Sequence, residues 1–250
     1  MTQPYVQNLF LKQEHKEEML PVSHLNLRND LGIVGDINSD RLSPRQILLV
    51  CSADLARFSL MPGELRENII LDTADIAKFK PGAKLTFPSG AEIRLTFYCE
   101  PCQRVAHLVD SIKSFQQKRG ILGVVKTGGA IAIQDQVTIE PNYFPALSEI
   151  PYERFLDYVD KIPRGKVVSY KQILKCIGVD RSYFRAIPIY LKKAPANYPL
   201  HRVLDSQGRV TPHTWQQVER LSAEGIKVKQ QANFFTVSLE EYAWQHSAIY

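Results

Sequence analysis

Three prolines within eleven residues, Pro141, Pro145 and Pro151, divide this chain more firmly than any other feature in it. Each fixes φ and removes a backbone donor, and the residue before each is pushed out of the helical region. Neither a helix nor a central strand should therefore cross the stretch. The texture also changes there. From Gly32 onward the first part carries short β-rich runs separated by Gly and Pro: Ile47 to Val50, Asn68 to Leu71, Ala83 to Phe87, Ile93 to Phe97, Ile121 to Val125 and Val137 to Ile139. Pro88-Ser89-Gly90 reads as a hairpin turn and Gly128-Gly129 as another. With helical interruptions near Asp54 to Phe58 and Val109 to Lys118, the pattern predicts a mostly-β barrel or sandwich. Met1 to Asp30 is polar, with Glu14 to Glu18 surrounding His15. It reads as a short strand and a surface helix, or as partly disordered. After Pro151 the spacing becomes helical, with Tyr152, Phe155, Leu156, Val159 and Ile162 on one face. The expected organisation is a β domain over 1–140, a linker over 141–151, a mainly α domain over 152–229 and an aromatic extension over 230–250. Phe234, Phe235, Tyr242 and Trp244 of that extension are expected to pack onto a domain or a second subunit.

A balance of 44% hydrophobic and 23% charged residues is that of a soluble globular chain and excludes the disordered and collagen-like classes. The apolar runs fall far short of a bilayer span, and the first residues lack the basic-then-apolar order of a signal peptide. The expectation is a cytoplasmic or nucleoid-associated protein with no membrane partner. Cys51, Cys99, Cys102 and Cys176 are too scattered for a disulfide framework and read as thiols. Charge is unevenly distributed: Lys161 to Lys229 holds 14 Lys and Arg against 4 Asp and Glu, leaving 17 basic and 22 acidic residues elsewhere. A basic block joined to an acidic one suggests that only the second half meets a polyanion, with a solvated basic face as the alternative.

Within the basic block, Ser169 and Gln172 fit a capping box opening a helix with Ile173, Leu174 and Ile177 on its buried face. Asp180 fits the N-cap of a second helix carrying Tyr183, Ile187 and Leu191 on one side and Arg181, Arg185, Lys192 and Lys193 on the other. Two short helices joined by a tight turn predict a helix-turn-helix whose cations face phosphates. Pro188 is the misfit, because proline inside a helix removes a hydrogen bond; the helix starts late or is kinked. Val203 to Val210, turning at Asp205-Ser206-Gln207-Gly208, reads as a hairpin wing. Trp215, Val218 and Leu221 lie on the core side of the helix that Gly225 ends.

The run Tyr198-Pro199-Leu200-His201-Arg202-Val203 has the form of a reactive-cysteine motif without its cysteine. Together with Lys161 to Tyr170, Arg185-Ala186 and Ala223-Glu224-Gly225-Ile226, it resembles the DNA-binding and active-site domain of O6-alkylguanine-DNA alkyltransferases, whose signature is Pro-Cys-His-Arg-Val. The implied fold is a winged helix-turn-helix. Leu200 occupies the cysteine's place, and an aliphatic side chain has no lone pair for attack on an alkyl group. Alkyltransferase activity is therefore not expected. The likeness is closer to the alkyltransferase-like proteins, which bind alkylated DNA without repairing it. By this resemblance Arg185 fills the gap left by a flipped nucleotide, or is a plain phosphate contact. Tyr170 rotates the target phosphate, or is a helix-end core residue. His201 and Glu224 match the base and its orienting carboxylate, and with Tyr170 and Leu200 they make up the lesion pocket. Arg202 joins Tyr170, Arg181, Arg185, Lys192 and Lys193 in the DNA-binding set. The implied partners are double-stranded, alkylated DNA and DNA repair proteins.

The first half has its own likeness. Gly35-Asp36, Arg45 to Leu48, Pro62 to Ile69, Pro81 to Leu85, Glu100 to Arg104 and Arg119 to Leu122 resemble, in that order, the blocks of MOSC domains, named for the C-terminal part of molybdenum cofactor sulfurases. Asn38 stands where a His is frequent, Arg66 where a Gly is usual, and Gln134-Asp135 in place of Gly-Asp. The resemblance makes Cys102 the sulfur carrier or molybdenum ligand and the molybdenum cofactor the candidate cofactor. Read from the residues alone, Cys99-x-x-Cys102 leaves open a redox pair, a zinc site with His107, a single functional Cys102 or an inert thiol. Two classes of function follow. One is a non-enzymatic binder of alkylated DNA fused to a MOSC-like module. The other is a sulfur-transfer or molybdenum-cofactor protein using Cys102, with the second half as scaffold or targeting device.

Overall fold

The central strands of the first unit are buried on both faces, and the near-continuous apolar run of Ile47–Cys51 is the clearest case. Its odd residues, Ile47, Leu49 and Cys51, enter one core with Leu9, Ile69, Leu71, Ile93 and Ile121. Its even residues, Leu48 and Val50, enter another with Phe10, Ile70, Phe97 and Leu122. The period of two thus serves two cores at once. The computed structural model describes residues 3–14, 17–73, 76–211, 214 and 216–245, in two compact units, Met1–Glu149 and Ile150–Tyr250.

The first unit runs β1 (Tyr5–Leu11), β2 (Leu20–Val22), β3 (His24–Arg28), β4 (Gly32–Ile33), β5 (Ile47–Cys51), helix α1 (Ser52–Arg57), β6 (Ile69–Asp72), β7 (Lys84–Thr86), β8 (Glu92–Tyr98), β9 (Ile121–Thr127), β10 (Gly129–Ala132) and β11 (Thr138–Glu140). Eight of these strands form one sheet in the order β11-β7-β8-β9-β5-β6-β1-β2, and β10-β3-β4 form a smaller one. The order is open rather than that of the expected closed barrel: no ladder joins β11 to β2 among the described residues. Edge strand β2 is three residues long and contains Pro21, which lacks a donor. The strand expected within Met1 to Asp30 is present as β1, but the surface helix is absent among the described residues of that stretch, which hold β2 and β3 instead; His15 lies outside the described residues. Pro88 to Gly90 makes its hairpin, with Phe87 N–H donating to Ala91 O at 3.0 Å. Gly128-Gly129 does not, because β10 leaves β9 to pair with β3. Asn68 knots the large sheet. Its Oδ1 accepts from Leu48 N–H at 3.1 Å, and its Nδ2 donates to Asp36 Oδ2 at 2.9 Å and to Phe10 O at 3.3 Å.

The second unit contains α2 (Pro151–Asp160), β12 (Val168–Ser169), α3 (Tyr170–Cys176), α4 (Ala186–Lys193), β13 (Val203–Leu204), α5 (Gln217–Ala223), β14 (Val228–Gln231), β15 (Phe234–Val237) and α6 (Leu239–Tyr242). Ser169 Oγ caps α3 by accepting Gln172 N–H at 3.2 Å. The Gln172 side chain does not complete the box; it donates to Tyr158 OH and to Trp244 O. The turn at Asp205 to Gly208 forms as expected, but its arms part. β13 pairs in parallel with β12, and Val210 N–H donates to Phe235 O at 2.9 Å. The antiparallel hairpin here is β14–β15, which straddles residue 229. The last described segment folds onto the same unit: Val167 N–H donates to Tyr242 O at 3.0 Å, Trp244 N–H donates to Val167 O at 2.9 Å, and the Trp244 ring stacks on Tyr158 at 5.5 Å. Trp215 lies outside the described residues. Among them no helix is long and apolar enough to cross a membrane.

Asp180 caps a 3-10 turn over Arg181–Arg185, and the α-helix begins only at Ala186. Pro188 therefore sits in the first turn, where its missing N–H has no intrahelical partner to lose. Pro188→Ala should leave unfolding stability within about 1 kcal/mol of wild type, whereas Tyr190→Pro, one turn in, should lower it by about 3 kcal/mol or more in urea titrations.

Candidate functional site

Pro199 is followed by a 3-10 turn, Leu200–Arg202, and the chain then enters β13. Glu224 stands at the end of α5 and binds that turn from the other side. Its Oε1 lies 2.7 Å from His201 Nε2, and its two oxygens accept from Arg202 Nε at 3.1 and 3.0 Å. Arg202 Nη2 reaches Oε1 at 2.7 Å, and Gly165 N–H donates to Oε2 at 3.0 Å. Burial alone would raise this carboxyl, but the donors of Arg202, His201 and Gly165 outweigh it and hold it at about 2. Burial, only partly opposed by Glu224, holds His201 below the usual imidazole range. At neutral pH the ring is therefore neutral, and Nε2–H donates to the carboxylate. Nδ1 is then an acceptor, buried and with no hydrogen-bond partner among the described residues. It is the nitrogen left to act as a base, and Leu200 gives it nothing to deprotonate.

Arg202, expected to face DNA, turns inward instead. Besides Glu224 it donates through Nη1 to Ile162 O at 2.6 Å, and its side chain is 15% exposed. Tyr170 is buried, its hydroxyl bonded to Thr211 and its ring edge-on to Phe184 at 5.8 Å. His201 and Glu224 line an open cavity of about 550 Å³ with Arg164, Asn197, Arg202 and Arg220. Tyr170 and Leu200 do not line it, so the four residues expected in one lesion pocket are not gathered in this cavity. Gln217 was missed by sequence reasoning. Its buried amide donates to His201 O at 2.9 Å and to Val203 O at 2.7 Å, fastening both ends of the turn.

Arg181, Arg185, Lys192 and Lys193 are all exposed. Arg185, Ile189, Lys192 and Lys193 recur at helical spacing along α4, and Ile189 is 63% exposed in their midst. Phe184, just before α4, is also exposed. Neither apolar residue was singled out from sequence, although the four-residue step from Arg185 to Ile189 carried the signal. Lys193 also lies over the Tyr152 ring at 4.7 Å.

In the first unit Cys99 is buried and Cys102 half-buried. Arg119 donates through Nη1 to Cys102 Sγ at 3.3 Å and to Glu100 O at 2.7 Å. Arg45 Nη2 approaches Cys99 Sγ at 4.0 Å. No group of three His, Cys, Asp or Glu is arranged to hold a metal ion among the described residues, so the zinc reading of the Cys pair with His107 fails there.

The sequence model of the 6-O-methylguanine DNA methyltransferase DNA-binding domain matches residues 151–231, and that of the MOSC domain matches residues 42–138. Alkyltransferase-like protein 1 of Schizosaccharomyces pombe is 30% identical over 102 residues, covering 38% of this chain and 94% of that protein. The DNA base-flipping protein of Vibrio parahaemolyticus is 33% identical over 92 residues, 35% of this chain and 88% of that one. Among solved structures, S. pombe Atl1 in complex with damaged DNA containing O6-carboxymethylguanine aligns at 30% identity and TM-score 0.35, over 38% of this chain and 94% of that one.

A carboxyl depressed on folding contributes stability that is complete above its unfolded value, near 4.5, and is lost as pH falls toward 2. Glu224→Gln should therefore weaken the second unit at pH 7 by about 3 kcal/mol and flatten its loss of stability below pH 4.5. Urea unfolding at several pH values reads both effects.

Proposed function

The chain belongs to the alkyltransferase-like family, and from that premise we propose that its second unit recognises alkylated duplex DNA of the O6-alkylguanine type, flipping the nucleotide without accepting the alkyl group. The observation that carries the reading is Leu200. An inert side chain stands at the reactive position while His201, Arg202 and Glu224 around it stay fully assembled. Arg181, Lys192 and Lys193 meet phosphates, and Arg185 enters the stack opposite the flipped base, its fork suited to the orphaned partner. The exposed Ile189 and Phe184 add apolar surface beside it, as wedges do in other proteins that open base steps. In this reading Tyr170 and Leu200 wall the lesion pocket, and Arg202, His201 and Glu224 hold the turn that carries Leu200. The wing in this reading is the β14–β15 hairpin. A binder that leaves the lesion intact hands it to DNA repair proteins, in the cytoplasm or on the nucleoid.

This reading keeps residues 1–140 as a MOSC-like domain, 141–151 as linker, 152–229 as the DNA-binding domain and 230–250 as its extension. The single bridge between Tyr5 and Gln136 supports a first-unit sheet that curls toward a barrel. A second reading, sulfur transfer or molybdenum-cofactor binding, is favoured by the Arg119 guanidinium on the Cys102 sulfur. One soft thiol among arginines suits a metal group that brings its own ligands and negative charge, with Cys102 as the protein donor. Such a group would supply metal-centred redox chemistry.

Fluorescence anisotropy with duplexes differing by one O6-methylguanine tests the first reading. Affinity should fall steeply with salt, and Arg185→Ala should cut lesion preference to about twofold while sparing most binding to plain duplex. Equal loss on both duplexes would reduce Arg185 to a phosphate contact, and no binding at low salt would remove the reading.

Intact-mass measurement after incubation with the same lesion should show no added methyl on wild type. Leu200→Cys should gain one, since the His201–Glu224 pair that would activate the new thiol is assembled.

A further inference from the structure

The cations on and before α4 account for only part of the basic block of the second unit. Arg164 and Arg220 lie elsewhere, in the wall of the 550 Å³ cavity that Glu224 also lines. They come from separate elements. Arg220 is on α5, one turn before Glu224, and Arg164 is on the loop between α2 and β12. The cavity brings them together with Asn197, from the loop that leaves α4.

Arg220 is half-buried, and its side chain has no hydrogen-bond or ion-pair partner among the described residues. A guanidinium drawn partly out of water without an acceptor is unfavourable, so an anion from outside would complete this wall. Arg164 is exposed and donates through Nη2 to Ala223 O at 3.0 Å, which anchors its fork and leaves other N–H groups for a ligand. The third arginine of the wall, Arg202, is neutralised by Glu224, whose oxygens are filled by Arg202, His201 and Gly165. His201 is neutral at pH 7. The balance is therefore Arg164 and Arg220 against Asp160, an excess of one positive charge. One charge suits a carboxylate better than a dianionic phosphate.

A nucleic-acid backbone is the poorer fit. A duplex carries its phosphates on a broad, stiff rod that meets projecting cations, as the exposed ones of α4 are, whereas Arg220 is recessed. A slim acidic side chain can enter the recess. The cavity is also distinct from the lesion pocket of the first reading: Tyr170 and Leu200 do not line it, although it shares the turn Leu200–Arg202 with them.

We propose that this cavity docks an acidic side chain of a partner protein, its carboxylate held between the guanidinium groups of Arg164 and Arg220 with the Asn197 amide donating beside them. That the carboxylate belongs to a protein rests on the reading that the lesion is handed on intact; the chemistry of the site does not.

The test uses the full chain and a short fluorescein-labelled peptide alternating Glu with Gly, with a Gln-for-Glu peptide as control. In anisotropy titrations the acidic peptide should bind about tenfold more tightly than the control, and Arg220→Gln and Arg164→Gln should each remove about that factor. Both variants should melt with wild type and bind plain and O6-methylguanine duplexes within about twofold of it, because neither residue belongs to the α4 face. Saturating plain duplex should leave the peptide bound, and glutarate should displace it only at far higher concentration. If the lesion duplex fails to bind while the peptide results hold, the site stands and only the DNA reading falls. Equal binding of the two peptides, no binding of either, or undiminished binding of the acidic peptide to Arg220→Gln would each overturn the proposal. So would displacement by plain duplex, which would make the cavity a nucleic-acid contact, or glutarate competing at equal concentration, which would make it a site for a free dicarboxylate.

Discussion

The second unit depends on one carboxylate. Glu224 ties together the loop at Gly165, the turn Leu200–Arg202 and the end of α5, three stretches far apart in sequence. Arg202 extends the tie to Ile162. A buried charge is tolerable only when its lone pairs are filled, and here they are. The constellation that would activate a nucleophile is thus also what holds the turn to the rest of the unit. Loss of the nucleophile leaves that second duty unchanged, which explains how His201, Arg202 and Glu224 stay assembled around Leu200.

In the first unit the comparable element is Asn68. Its amide satisfies backbone groups on β1 and β5 and the buried Asp36, whose carboxyl burial pushes up despite donors from Asn38 and Asn68. A polar group shared by neighbouring strands fixes their register, because a slip of one residue would strand every partner. Apolar runs such as Ile47–Cys51 define which strands are central but are indifferent to register. The buried amide supplies what they lack.

Legibility followed the same division. Apolar runs showed β5, β6, β8 and β9, because burial on both faces leaves little room for polar residues, and short alternation bounded by Gly and Pro showed β7 and β11. The alternation of Leu25 and Leu27 in β3 was present but too short to stand out in a polar stretch. Pairing partners were not legible. Nothing in Val203 to Val210 says that one arm joins β12 and the other β15, since a turn fixes a reversal and not what lies beside each arm. Cys99 and Cys102 look equivalent as a pair, yet Cys99 is buried just past β8 and Cys102 is half-buried, with Arg119 on its sulfur at 3.3 Å. At the candidate site, Leu200, His201 and Glu224 were readable from the motif. The inward turn of Arg202 was not, because an arginine's sequence position does not tell which acceptors its long side chain will reach.

The first strand of unit 1 lies beside the approach to its last. Tyr5 bridges Gln136, Val6 N–H donates to Asp135 O and Val137 N–H to Pro4 O. The backbone of the first strand is therefore closed against the segment that enters the last. Phe144 and Pro145 beyond it remain fastened to Gly82 and Arg94. A unit whose first strand is stapled to the approach of its last cannot be trimmed at either place without stranding backbone groups of the other.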